Sequence, residues 1–150
     1  MHSLAIPCLL LGLFTCALTE PVKYEDCGNP EIGVLKELYV TPCPKEPCIL
    51  KKGQTYLVNV TFVSNTNSQS SIAEANGIPL NVLIPFYIPE PDGCKSGITC
   101  PIKKGHTYSY ISELPVMRVY PSMWMDMEWK LLNDENQDLF CWIIPVRIKS

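Results

Sequence analysis

Cysteine dominates the reactive groups of this 150-residue chain, which carries 8 cysteines against 2 histidines. Cys8 and Cys16 fall in an apolar N-terminal run, leaving Cys27, Cys43, Cys48, Cys94, Cys100 and Cys141. An even set of cysteines in a secreted chain reads as a disulfide framework. Cys43-Pro-Lys-Glu-Pro-Cys48 and Cys94-Lys-Ser-Gly-Ile-Thr-Cys100 are short, turn-rich segments whose ends can meet. Cys27 and Cys141 then remain, and a bridge between them closes a loop of more than about 100 residues. The competing chemistry is a four-cysteine zinc site. The spacings are wider than the usual knuckle, and an oxidising compartment favours disulfides.

Little else on the chain can do chemistry. Beyond residue 19 one histidine remains, His106. A Ser-His-Asp or Cys-His hydrolase would have to use it, while every remaining cysteine is assigned to a bridge. After Gly105 it reads as an exposed residue at a strand start. Glu90 and Asp92 lie close together, but Pro91 and Gly93 make that stretch a turn. No nucleotide-binding glycine loop or nucleophile-elbow pattern occurs. No catalytic residue and no metal ligand is assigned, and no cofactor is expected. Asn59-Val60-Thr61 is an intact N-glycosylation acceptor, whereas Asn65, Asn67 and Asn136 lack Ser or Thr two residues on.

The elements that carry these groups are strands. Fourteen prolines argue against a helical bundle, and a net charge of -3 leaves no basic footprint for nucleic acid. Residues 1–19 contain no charged side chain and end in Ala17-Leu18-Thr19. They read as a signal peptide cut before Glu20, although the usual N-terminal Lys or Arg is missing. The run Leu4–Leu18 is shorter than the roughly 20 residues of a membrane span. Residues 20–150 form one domain. An occupied Asn59 must face solvent, which fixes the parity of the strand Gln54–Ser64. Tyr56, Val58, Val60 and Phe62 then point inward. In Tyr120–Lys130, Met123, Met125, Met127 and Trp129 alternate with Trp124, Asp126, Glu128 and Lys130. Near the C-terminus Phe140, Trp142, Ile144, Val146 and Ile148 share a face, and Pro145 marks an edge or a break in pairing. Further strands are expected at Val22–Asp26, Val34–Thr41, Pro79–Ile88 and His106–Ser112, with Asn133–Asn136 as a turn. Parity places Val82, Ile84 and Phe86 together on the inner face. About seven strands with turns between them predict an all-β, immunoglobulin-like sandwich of two antiparallel sheets. Its inner face is rich in aromatics and thioethers, which line an adaptable apolar cavity or simply fill a core. On composition alone the filled core is the simpler reading.

A longer stretch carries more. Phe86-Tyr87-Ile88-Pro89-Glu90-Pro91-Asp92-Gly93-Cys94-Lys95-Ser96-Gly97-Ile98-Thr99-Cys100-Pro101-Ile102 resembles a signature of the ML lipid-recognition domain family, within its Niemann-Pick type C intracellular cholesterol transporter 2 group. Thr107-Tyr108-Ser109-Tyr110, Tyr120-Pro121-Ser122 and Leu139-Phe140-Cys141-Trp142 extend the resemblance over the chain beyond residue 19. It implies a secreted glycoprotein of the late endosome and lysosome lumen, a monomer that holds unesterified cholesterol between its sheets. It further implies delivery to membranes or to the large multi-pass Niemann-Pick type C membrane cholesterol transporter. Phe86, Val116 and Tyr120 match the family's main pocket positions. Val40, Leu50, Tyr56, Val58, Trp129 and Trp142 match others near the pocket or core. Ile84, Met123, Met125 and Met127 join the candidate set by parity. Met123–Glu128 and Ala73–Asn76 depart from the family pattern, which bears on sterol preference and on the transfer surface. A related ML domain for a fatty acid, phospholipid or glycolipid is the alternative, as is a β-sandwich without a guest. The sequence shows no basic rim of the kind an anionic glycolipid would need.

Overall fold

The computed structural model describes residues 20–27 and 31–150; the expected signal peptide lies outside them. In chain order the strands are β1 (Glu25–Asp26), β2 (Gly33–Thr41), β3 (Cys48–Lys51), β4 (Thr55–Ser64), β5 (Ile72–Ile78), β6 (Ile84–Pro85), β7 (Thr107–Pro115), β8 (Trp124–Leu132) and β9 (Asp138–Lys149). One sheet has the order β2-β4-β7. The other has the order β1-β9-β8-β5-β6, with β3 added alongside β9. Pairing is antiparallel except between β3 and β9, which run parallel. The two sheets enclose one apolar layer, as expected for a sandwich.

The parity reading holds where the alternation is clean. Tyr56, Val58, Val60 and Phe62 of β4 are buried, while Leu57 on the opposite face is 47 % exposed. Met125, Met127 and Trp129 of β8 are buried and Trp124 is 52 % exposed. Asn59 lies on the outer face of β4, opposite Ile111 of β7 and Tyr39 of β2. Asn59→Gln is therefore expected to remove a glycan and leave lipid affinity within about twofold of wild type. A larger loss in a folded variant, measured by fluorescent-lipid titration, would reverse the faces of β4.

All three bridges form as the spacings suggest: Cys27–Cys141, Cys43–Cys48 and Cys94–Cys100. The β8–β9 turn is held by Asn133, whose Oδ1 accepts from the Glu135 and Gln137 amides at 2.9 and 2.8 Å. Asn136 in that turn has φ 60°, a conformation asparagine tolerates better than most residues.

Several expectations are corrected. Of Pro79–Ile88 only Ile84–Pro85 is strand, and Val82 is 57 % exposed, so Val82 does not share the inner face with Phe86. The chain turns at Pro79–Val82, with Leu80 and Asn81 at φ 51° and 68°, and this breaks the period of two. Of Val22–Asp26 only Glu25–Asp26 pairs with β9; the Val22 amide donates instead to Leu38 of the opposite sheet. β8 starts at Trp124, leaving Tyr120 in the preceding turn. Pro145 is in the interior of β9, which is no edge strand. It sits where β1 has ended at Ile143 and β3 begins at Val146, so its missing N–H falls in a break between two partners.

β3 and β5 are strands that the sequence reading does not anticipate. β3 is four residues long. β5 buries only Ala73, Ala75 and Gly77, small residues with little strand signature. Their size makes room across the ladder, where Ala75 faces Trp129 and Gly77 faces Met127.

At the opposite corner, residues 31–33 run beside the start of β9. The Glu31 carboxylate accepts from the Cys141 backbone amide, yet burial and the charges of Asp26 and Asp138 raise its pKa. A carboxyl whose folded pKa is raised binds its proton more tightly in the folded state, so this group lends stability as pH falls from neutral through the raised pKa. Glu31→Gln is expected to stabilise the protein at pH 7 and to flatten the pH dependence below it. Urea unfolding across pH 7 to 5 checks this; a variant destabilised at pH 7 would contradict it.

Candidate functional site

Three connecting segments meet at one end of the sandwich. The Phe86 amide donates to the Ala75 carbonyl of β5 at 2.9 Å, and Val116 is held by Gln54 and Gly53 at 2.9 and 2.7 Å. Tyr120 closes a turn by donating its amide to Met117, and its hydroxyl accepts from the Tyr87 amide at 2.8 Å. The Phe86 and Tyr120 rings stack with centroids 5.0 Å apart. Phe86 and Tyr120 thus form one stacked pair, and they and Val116 are each nearly closed to solvent.

Gly77 completes this end. A Cβ placed there would lie 2.5 Å from Met125 Sδ and 2.8 Å from Phe86 Cζ, so only glycine lets the thioether and the ring lie over β5. Its signal in the sequence is a glycine inside a strand, a mark of close approach. Val40, Leu50, Val58 and Met127 are buried in the same core, and Ile84 and Met123 are half-buried. Tyr56 serves the framework instead, since its hydroxyl accepts from the Lys51 amide at 2.9 Å and pins β3 to β4.

Trp129 and Trp142 form an aromatic cluster with Tyr110 and Phe140. They stack on each other at 5.8 Å, Trp129 Nε1 donates to the Tyr110 hydroxyl at 3.3 Å, and Tyr110 packs against Phe140. Tyr110 is missing from the sequence-based candidates; its burial raises the phenol pKa and keeps it neutral. Within one continuous inner layer, rings gather around Trp129, and Met125 meets Phe86 over Gly77. No titratable carboxylate or imidazole stands among these lining residues. Such a surface can bind apolar area; it offers no acid, base or nucleophile.

The ML domain family model matches residues 21–148. The chain belongs to the ML domain family. This ML domain is 58 % identical over 150 residues to the pig protein named NPC intracellular cholesterol transporter 2, with 100 % of each chain covered. The dog protein of the same name is 55 % identical, again over 100 % of each chain. Among solved structures, a Niemann-Pick type C2 protein from the Japanese carpenter ant matches with a TM-score of 0.77 at 27 % identity, covering 85 % of this ML domain and 100 % of that chain.

The ML domain surface is apolar and charged at once. Leu80 and Val119 are each 87 % exposed, and Leu83 and Trp124 are more than half exposed. A groove of about 440 Å³ runs between Leu80, Trp124 and Pro145. Lys51 pairs in register with Lys149, and Arg118 packs over Gly53. The surface is thus locally richer in positive charge than the sequence suggests, because Lys51 and Lys149 are brought together only by folding.

Proposed function

We propose that this ML domain carries unesterified cholesterol between its two sheets and passes it to membranes or to the large multi-pass Niemann-Pick type C membrane cholesterol transporter. The role is carriage and not catalysis, in a secreted monomer that works in the late endosome and lysosome lumen. Full-length relatives named as cholesterol transporters support the substrate, and three disulfides fit a secretory route. The observation that carries the reading is the layer beneath Phe86 and Tyr120, built from thioethers and aliphatic groups over Gly77. Methionine changes rotamer readily, so Met125 and Met127 can yield to a flat ring system. A rigid guest loses little conformational entropy, and its hydroxyl stays at the mouth where water satisfies it.

Delivery to a bilayer is supported by the exposed turn. Leu80 adopts a left-handed backbone that costs a leucine about 1–2 kcal/mol, and it presents its side chain to water. Elsewhere on the domain, Lys51 lies beside Lys149 and Arg118 packs over Gly53, and these cations favour a surface with anionic lipids.

Native mass spectrometry of the protein from its source is the primary test. A sterol adduct supports the reading, and another lipid or a bare chain overturns it. Leu80→Asp should leave equilibrium sterol affinity within about twofold but slow transfer to anionic vesicles by about tenfold or more. Unchanged transfer would remove this turn from the delivery surface.

A further inference from the structure

A second groove, of about 430 Å³, lies on the outer face of the larger sheet, where β1 and β3 leave a gap along β9. Ile143 and Pro145 form its apolar floor. Glu25 stands on the β1 wall, Glu46 on the Cys43–Cys48 hairpin opposite, and Asp126 at the β8 end. All three carboxylate residues are exposed, and no salt bridge engages them among the described residues. Glu46 accepts one weak bond at 3.2 Å from the Lys23 amide, and Lys23 is the one cation on the rim. Three carboxylates on separate elements, spread around an apolar slot, are complementary to several cations on one chain with apolar side chains between them.

We propose that this groove docks a basic segment of a partner protein, with apolar side chains between its cations. The gap in pairing spans only Ile144 and Pro145, too short to add a strand, and its size suits side chains entering from a larger molecule. The groove meets the Leu80–Trp124 depression at Asp126 and Pro145. A docked partner therefore presses on the outer face of β8, the strand whose inner face carries Met125 and Met127. The docking surface itself rests on charge and shape and needs no lipid guest.

The test uses the full secreted chain with its disulfides intact. The probe is a fluorescein-labelled dodecapeptide in which arginine and lysine alternate with proline and leucine; its counterpart carries glutamate in place of each cation. Fluorescence polarisation is expected to show binding of the cationic peptide only, with amide NMR shifts at Glu25, Glu46 and Ile143. The triple variant Glu25→Gln, Glu46→Gln, Asp126→Asn should weaken binding about tenfold or more. A control triple, Glu74→Gln, Glu113→Gln, Glu135→Gln, removes as many exposed carboxylates elsewhere and should stay within about twofold. Equal loss in both triples, shifts confined to other surfaces, or no binding of either peptide would each overturn the proposal. Sterol titration of the same variants keeps this result separate, since wild-type sterol binding beside lost peptide binding is the expected pair.

Discussion

Phe86→Ala is expected to cut sterol affinity by roughly tenfold to a hundredfold while leaving a folded, secreted protein. The ring is 5 % exposed, stacks on Tyr120 and meets Met125 over Gly77, so it is one wall of the proposed guest space. Burying a large apolar side chain is worth about 1.5–3 kcal/mol, which is the affinity loss just given. Were the same residue only core filling, truncation would instead cost about 3–5 kcal/mol of stability with no ligand to lose. Fluorescent-sterol titration beside urea unfolding separates the two. Wild-type sterol binding in the variant would remove Phe86 from the site, whereas severe unfolding with no measurable sterol uptake by the wild type would favour the filled core.

Cys27→Ser together with Cys141→Ser is expected to be the most destabilising of the three disulfide deletions. The bridge spans 114 residues and ties the start of the domain to the buried half of β9. In the chain-entropy model a loop of that size contributes about 5 kcal/mol, against about 2 kcal/mol for each of the two short loops. Small domains have only about 5–15 kcal/mol in total, so the long-range pair should leave little folded protein at 37 °C. Non-reducing unfolding curves of the three double-serine variants give the ranking. A greater loss from Cys43–Cys48 or Cys94–Cys100 would mean that those bridges hold a hairpin that the rest of the sandwich depends on.

Local chemistry made part of this architecture legible. The strands β4, β8 and β9 alternate apolar and polar residues at period two, and an outward Asn59 settles which face is which. Asn133–Asn136 declares its turn through side chains that bond their own backbone. The two short bridges close within their own segments, which leaves a single pair for the long one. Val116 and Tyr120 were reached through resemblance, since nothing in the spacing says that the connections after β6 and after β7 approach each other. β5 stayed hidden because its buried residues are two alanines and a glycine. Their role is to be small opposite Trp129 and Met127, and that need exists only once the strands are paired.

The sequence by itself determined the class of the molecule: a disulfide-bonded, all-β chain with an apolar inner face. Those properties follow from alternation, turn chemistry and residue inventory, all of which act over a few neighbours. Tertiary structure alone decided the ring cluster around Trp129 and the close approach of Met125 and Phe86 over Gly77. It also set Val82 outside, brought Lys51 beside Lys149 and Arg118 over Gly53, and opened the acidic groove where β1 stops and β3 starts. Each of these depends on which strands lie side by side and in what register. That choice is made by packing across the whole domain, so no single segment records it.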